Sequence, residues 1–217
     1  MLSTTRLKRA LIAALCTAAL GLSAAATALA NDGAPDTTQD AAIAAALKAL
    51  DAQLPGTLIN NPYDIQWRTD GSDKKDSVVK SEDAPGGMAY RVTVKKTKKN
   101  SWDTATRIPM TTSIAKDDVI LMSFWARAAK VAKGKEAGDI SVNIQRNTEP
   151  YDTVFDERIA LGKEWKLYNA TGTAKRDYNF KKTQINFNLA RAKQTVEFGP
   201  FYVMNLGPGA DAAPYMK

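Results

Sequence analysis

Histidine is absent from the 217-residue sequence, and cysteine occurs once, as Cys16. Cys16 lies inside an N-terminal apolar run, and Leu15 before it is larger than the small residue that precedes the cysteine of a lipoprotein signal. We therefore expect Cys16 to be removed with a signal peptide. The remaining domain then has no disulfide, no usual zinc ligand, no cysteine nucleophile and no histidine-dependent catalytic triad.

Recognisable catalytic motifs are missing as well. The sequence contains no glycine-rich phosphate-binding loop and no G-x-S-x-G nucleophile elbow. A glycoside hydrolase needs two positioned carboxylates, and no pattern marks a pair among Glu149, Asp152, Asp156 and Glu157. The sequence therefore predicts a protein that is not an enzyme and needs no cofactor.

The first 30 residues have the layout of a signal peptide. Arg6, Lys8 and Arg9 form a positively charged start, residues 10–22 are apolar, and residues 28–30 (Ala-Leu-Ala) form a small-x-small cleavage site. A membrane-spanning helix needs about 20 apolar residues, so an uncleaved anchor is the less favoured alternative. We expect a secreted or periplasmic protein with no membrane span after cleavage.

The net charge of the whole chain is +7. The densest run of charge contains Lys95, Lys96, Lys98 and Lys99. Such a run is more often a solvated loop or strand end than a nucleic-acid-binding patch. We therefore expect no nucleic-acid partner.

Four segments are predicted along the chain. They are the signal peptide (1–30), a polar tail with a short helix (31–56), a β-sandwich (57–207) and a flexible tail (208–217). The helix is predicted over residues 41–54, where apolar residues recur at helical spacing, and it either packs on the domain or acts as a spacer.

The helical period ends at Thr57, and short runs rich in β-branched and aromatic residues alternate with turn residues. About ten short strands separated by turn residues predict an all-β antiparallel sandwich of the jelly-roll type. The predicted strands cover residues 63–68, 77–80, 89–96, 104–110, 118–128, 139–146, 153–159, 164–171, 183–190 and 195–205.

Two of these strands carry uncharged amides on one face, since successive strand side chains point to opposite sides. Asn143 and Gln145 alternate with apolar residues in one strand, and Gln184, Asn186 and Asn188 do so in the other. An amide both donates and accepts hydrogen bonds, as a sugar hydroxyl does. Two interpretations remain open, a glycan-binding face and an ordinary solvated face on which amides occur by chance.

Aromatic residues supply the other half of this hypothesis. Sugar rings have apolar C–H faces, so a flat aromatic ring beside hydrogen-bonding groups is typical of a glycan site. Trp102, Trp125 and Tyr151 are the candidate platforms. Trp125 has a second interpretation, as a residue of the core.

Several stretches resemble the carbohydrate-binding modules of families 4, 9 and 22, which often accompany cellulases and xylanases. Residues 138–151 (GDISVNIQRNTEPY) and 159–168 (IALGKEWKLY) carry the resemblance. Residues 118–128 resemble the family's strand of the form y-x-l-S-F-x-A-R-A, and residues 185–189 and 195–203 resemble its last two strands. The resemblance extends over roughly residues 58–206.

The resemblance implies a galactose-binding-like jelly roll of two antiparallel sheets, with a polysaccharide chain of the β-glucan or xylan type bound in a cleft across one sheet. It implies ligand contacts by Asn147 and Tyr151, placed as N-x-x-P-Y, with Tyr151 as a stacking platform. It also implies contacts by Gln184 and Asn188.

This sequence departs from the family pattern at two places. An arginine of some relatives would fall near Ser141, and three alternatives are open: Arg127 replaces it, Arg107 replaces it, or no residue does. Gly199-Pro200 stands where the family often has an acidic residue, which argues against the family's structural calcium.

The resemblance makes a polysaccharide the expected partner and separate glycoside hydrolases candidate partners. Two alternatives are a protein-interaction sandwich of the cell envelope that binds no glycan, and a weak glycoside hydrolase accessory.

Overall fold

The computed structural model of the protein describes residues 37–62, 64 and 67–216. The predicted signal peptide and its export function lie outside these residues. Helix α1 spans Thr37–Asp51. Within the described residues it is followed by eleven strands: β1 (Thr57–Leu58), β2 (Arg68–Asp70), β3 (Lys74–Lys80), β4 (Met88–Val94), β5 (Ala105–Pro109), β6 (Asp118–Lys130), β7 (Gly138–Arg146), β8 (Thr153–Leu161), β9 (Lys166–Thr173), β10 (Thr183–Asn188) and β11 (Gln194–Pro208).

The strands form two antiparallel sheets that pack face to face. The six-stranded sheet has the order β3-β4-β11-β6-β9, with β1 paired to the C-terminal part of β11. The five-stranded sheet has the order β2-β5-β10-β7-β8. The predicted antiparallel sandwich is confirmed. The two-residue strand β1 was not predicted, because two residues are too few to show an alternating pattern.

The core lies between the two sheets and centres on aromatic rings. Phe187 of β10 contacts Phe198 of β11 with ring centroids 4.5 Å apart, and Trp67 stacks on Phe187 at 6.0 Å. Phe124 of β6 meets Phe187 edge-on at 5.2 Å. Burial of such side chains supplies the main free energy of folding in a domain without disulfides.

Helix α1 covers part of the outer face of the six-stranded sheet. Its Leu50 is buried against Leu121, Tyr202 and Met204, which point away from the main core. The helix was predicted over residues 41–54, and it ends earlier because the amide N–H of Leu54 donates to the carbonyl of Asp51 in a tight turn. Of the two predicted roles, packing on the domain is the one observed.

The segment predicted to be a flexible tail, residues 208–217, makes defined contacts over its described residues. A short 3₁₀ helix spans Ala213–Tyr215, and Tyr215 packs beside the Leu50 cluster. The side chain of Asn169 on β9 donates to the Tyr215 carbonyl at 2.6 Å. The two prolines of this segment indicated a loose tail, but they are compatible with a 3₁₀ turn held by tertiary contacts.

Tyr90 of β4 provides a pH-dependent contribution to stability. Its hydroxyl donates to Asp76 at 2.7 Å and lies 3.0 Å from the hydroxyl of Thr69. Burial of the phenol, assisted by the Asp76 carboxylate, raises the pKa of Tyr90 to about 12. The folded state therefore holds this proton more tightly than the unfolded state does, and the resulting stability is present below pH 10 and lost as the pH rises through 12.

We expect the free energy of unfolding to fall by on the order of 2 kcal/mol between pH 9.5 and pH 12 because of Tyr90. Urea denaturation at closely spaced pH values measures this fall. A Tyr90→Phe variant should be less stable than the parent at pH 8 and should show a shallower alkaline loss. Equal slopes for parent and variant would contradict the assignment.

Candidate functional site

The amide-bearing strands β7 and β10 are neighbours in the five-stranded sheet. Asn186 of β10 pairs with Arg107 of β5 on one side and with Asn143 of β7 on the other. Two residues along, Gln184 is opposite Gln145, and in the other direction Asn188 is opposite Ser141. Residues paired in this way share a face. These side chains therefore form one patch on the outer face of the sheet, which we call the amide face.

Hydrogen bonds arrange the amide face into inner and outer side chains. Asn143 and Asn186 are each only 3% exposed, although they point away from the core. The Asn186 amide donates to Oδ1 of Asn143 at 2.7 Å, and Oδ1 of Asn186 accepts from Nε2 of Gln184 at 2.8 Å. Asn186 thus holds the half-buried Gln184 in one orientation. The Gln184 carbonyl oxygen and its second N–H remain for another partner.

The rest of the amide face is less constrained. Asn188 is 5% exposed, and its amide lies 3.4 Å from the hydroxyl of Ser141. Gln145 is half-buried, and its amide contacts only the carbonyl of Arg146 at 3.4 Å. A 3.4 Å contact is a weak hydrogen bond. Both amides therefore retain most of their capacity to bond a ligand.

Ion pairs stand on both flanks of the amide face. Nη1 of Arg107 lies 2.8 Å from Asp70, and Nη2 of Arg158 lies 2.5 Å from Asp139. Each flanking cation is neutralised by a neighbouring carboxylate. The Asp139 carboxylate, by hydrogen bond and charge, raises the pKa of Arg158. The centre of the face therefore presents neutral hydrogen-bonding groups, which suit an uncharged ligand. Its margins carry these ion pairs and the exposed carboxylate of Asp156, which is opposite Asn143 on β8.

Tyr151 and Trp102 are the two most exposed aromatic residues of the described chain, at 52% and 59%. Tyr151 lies in the β7–β8 hairpin, beyond Gln145, with a positive φ of 54°. Trp102 lies in the 3₁₀ helix Ser101–Asp103 that precedes β5, and its carbonyl accepts from Arg107 at 3.3 Å. The two residues therefore lie at opposite corners of the amide face, Trp102 at the end that carries Asn188 and Tyr151 at the end that carries Gln184.

The positive φ of Tyr151 is unusual for a bulky residue. Such conformations cost about 1–3 kcal/mol and persist where the surrounding structure enforces them, commonly at binding sites. The hairpin enforces this one through a hydrogen bond from the Tyr151 N–H to the Thr148 carbonyl at 2.9 Å. Asn147, in the same hairpin, is exposed, and its backbone N–H donates to the Lys182 carbonyl. Asn147 is thus placed beside the β10 end that carries Gln184.

Trp125 and Arg127 do not belong to this face, and their predicted place beside the amides is wrong. Both lie on β6, in the six-stranded sheet on the opposite side of the sandwich. Arg127 donates to Glu197 at 2.6 Å, pairs with Asp83, and has its guanidinium 5.0 Å from the centre of the Trp165 ring. Alternation along β6 showed that these two residues lie on the non-core face of their strand. It does not show which of the two sheets the strand joins. Arg107 is the arginine that does lie beside the amides.

Glu197 is the charged residue that the sequence analysis missed. It is fully buried on the outer face of β11, where Arg91 donates to Oε1 and Arg127 donates to Oε2, each at 2.6 Å. Burial disfavours the charged form of Arg127, but the Glu197 and Asp83 carboxylates nevertheless raise its pKa. Glu197 alternates with Val196 and Phe198, so the period-2 pattern alone could have placed it on this face.

Gly199 lies two residues after Glu197 on β11, at the place where the family often has an acidic residue. Glu197 is the nearest acid on β11, and both of its oxygens are bonded to arginine. In the part of the chain that the structure describes, no group of three or more acidic, histidine or cysteine residues is placed to bind a metal ion.

The candidate carboxylates of a hydrolase do not converge. Asp156 pairs with Asn143 and so faces the amide side, whereas Glu157 pairs with Val142 and faces the interior side. Asp152 is engaged by Arg146 at 3.5 Å and by Arg176 at 3.0 Å. Adjacent residues of a strand point to opposite faces, so Asp156 and Glu157 cannot act on the same bond.

Comparison with solved structures agrees with this architecture. The second N-terminal cellulose-binding domain of beta-1,4-glucanase C from Cellulomonas fimi is 15% identical, with a TM-score of 0.51, and the match covers 70% of this chain and 92% of that domain. An arabinose-bound α-L-arabinofuranosidase is 12% identical, with a TM-score of 0.51, over 68% of this chain and 24% of the enzyme. At such identities the likeness shows the fold alone.

Sequence comparison gives the family. No curated protein is a significant match to the chain. A family model described as a carbohydrate binding domain matches residues 60–194, which is more than half of the chain and contains strands β2 to β10. The chain therefore belongs to the carbohydrate-binding domain family, and its sandwich is a non-catalytic carbohydrate-binding module.

Proposed function

We propose that the amide face binds one chain of a neutral polysaccharide of the β-glucan or xylan type, and that the protein does so after export. The observation that carries the proposal is the hydrogen-bonded row Gln184, Asn186 and Asn143. This row presents oriented neutral donors and acceptors at the centre of the face.

The dimensions of the face suit an extended chain rather than a single sugar. The row of paired residues from β2 to β8 crosses five strands, and neighbouring strands lie about 4.8 Å apart. The face is therefore about 19 Å wide. Trp102 precedes β5 and Tyr151 lies between β7 and β8. A ligand that contacts both residues must therefore cross two to three interstrand spacings and about four residues of strand, which is a diagonal of roughly 17–20 Å.

Export rests on the signal-peptide pattern of the first 30 residues. Within the described chain, no helix combines the length and the apolar character that crossing a bilayer requires. Separate glycoside hydrolases remain the proposed partners, since the sandwich itself binds without cleaving.

Affinity electrophoresis against a panel of β-glucans, xylans and mannans tests the proposal. We expect at least one β-glucan or xylan to retard the protein. Tyr151→Gly should abolish the retardation, because it removes the ring while glycine accepts the positive φ without strain. Secretion of the full chain, with the mature N-terminus determined at Asn31, tests the export part.

Val78→Ala is the matched control, since Val78 is 42% exposed on β3 of the other sheet. It should migrate as the parent does on every polysaccharide. Retardation by no member of the panel would overturn the proposed function. In that case, co-purification of a stoichiometric protein partner would support the interaction-sandwich alternative instead.

A further inference from the structure

Basic residues from distant parts of the sequence gather at one end of the sandwich. The segments 95–99, 130–136 and 191–193 hold nine of the chain's 30 lysines and arginines. We call these three segments the basic end. They follow β4, include the last residue of β6, and precede β11.

Strand register and hydrogen bonds bring the three segments together. Lys130 at the end of β6 pairs with Thr195 at the start of β11, so segments 130–136 and 191–193 lie at the same end of these two strands. The N–H of Lys98 donates to the Ala190 carbonyl at 3.0 Å, which places segment 95–99 at the same end of the sandwich. The cluster is therefore a property of the fold and not of one lysine run.

Few carboxylates oppose this charge. Asp73 pairs with Lys96 at 3.3 Å and with Lys98 at 2.6 Å, and the two lysines lower its pKa. Glu136, the one acid within the three segments, lies 3.9 Å from Lys163, outside them. Most cations of the basic end are exposed and have no carboxylate of the described residues within salt-bridge distance: Lys95, Lys99, Lys130, Lys133, Lys135, Arg191 and Lys193.

We propose that the basic end is a second binding surface, for an anionic polysaccharide such as a polyuronate. Lysine ammonium groups are hydrated point charges that attract anions without the geometric fit of an arginine fork. Charges spread over three loops, outside the amide face, suit a flexible polymer with a regularly repeated negative charge better than one small anion.

The chemistry of this end favours a polysaccharide over a membrane. A helix or loop that enters a lipid interface combines cations with several apolar side chains. Among the described residues, Trp102 is the one large exposed hydrophobic side chain beside the basic end, next to Ser101, whose carbonyl accepts from the Ala190 N–H. Trp102 also borders the amide face, so the two surfaces adjoin.

Polygalacturonate in affinity electrophoresis, with neutral β-glucan run in parallel, tests the proposal on the mature protein. We expect polygalacturonate to retard the parent at low salt, and the apparent affinity to fall about tenfold or more between 10 and 150 mM NaCl, since salt screens exposed charges. The triple variant Lys133→Glu, Lys135→Glu and Lys193→Glu should lose this retardation and keep its binding to the neutral polysaccharide.

A second triple variant controls for net charge. Lys80→Glu, Lys116→Glu and Lys175→Glu make the same change among exposed residues at the opposite end of the sandwich, and should bind polygalacturonate like the parent. Equal losses in both triple variants, or no retardation of the parent, would overturn the proposal. Stronger, variant-sensitive binding to phosphatidylserine vesicles or single-stranded DNA would overturn the polysaccharide assignment. Binding to the neutral polysaccharide is measured separately, so a negative result with polygalacturonate does not contradict the proposed function.

Discussion

Gln184→Ala should weaken neutral-polysaccharide binding by about tenfold or more, which corresponds to about 1.4 kcal/mol and lies within the usual cost of a lost hydrogen-bonding partner. Asn186→Ala should weaken binding by a similar factor, although Asn186 is almost inaccessible. The reason is that Asn186 acts by orienting the Gln184 amide through the 2.8 Å hydrogen bond. Isothermal titration with a soluble oligosaccharide that spans about 19 Å measures both effects.

A double-mutant cycle separates positioning from direct contact. If Asn186 works through Gln184, the Asn186→Ala change should have little further effect on affinity once Gln184 is alanine. Gln53→Ala, in the turn that follows helix α1, replaces an exposed amide on the far side of the sandwich and should leave binding unchanged. Additive losses would show that Asn186 contacts the glycan itself, and unchanged affinity in Gln184→Ala would exclude the amide face as the site.

Glu197→Ala should lower the free energy of unfolding by about 3–5 kcal/mol, the usual cost of breaking a buried ion pair from one side. The carboxylate is fully buried between Arg91 and Arg127, and its loss leaves two guanidinium groups without their common counter-charge. In a domain of this size each 1 kcal/mol corresponds to a fall in Tm of roughly 2–4 °C. Chemical denaturation and differential scanning calorimetry provide the two measurements.

Two further variants show how much of that loss of stability is due to the buried charge. Glu197→Gln keeps the shape and one acceptor while removing the charge, so it should recover part of the stability and remain below the parent. Glu136→Ala removes a carboxylate that is almost fully exposed and should change stability by less than about 1 kcal/mol. A parent-like Glu197→Ala protein would show that the arginines find other partners at no cost.

The sequence was sufficient to predict the sandwich and the composition of the amide face. Alternation with a period of two separates the faces of a strand, so Asn143 and Gln145 on β7, and Gln184 and Asn188 on β10, could be assigned to the non-core side. Their meeting on one face depended on β7 and β10 being neighbours. The family resemblance suggested that relation, and the register shows it.

The remaining errors have a common physical cause. Alternation does not report sheet membership, which is set by long-range pairing, and so Trp125 and Arg127 were placed with amides on the wrong side of the sandwich. Alternation also does not show which side chains of one face are buried beneath their neighbours. Asn186 was recognised as polar and outward-facing, but its role under Gln184 depends on neighbours from two other strands.

Helix α1 and Tyr215 both pack on the six-stranded sheet, behind the amide face. A label, linker or solid support attached ahead of the helix or after the C-terminal 3₁₀ turn therefore extends from the back of the molecule. The protein can be immobilised through either attachment point with the amide face directed outward. Surface-based binding measurements can then use both attachment points. Equal affinities from the two would show that the surface does not obstruct access of the ligand to the protein.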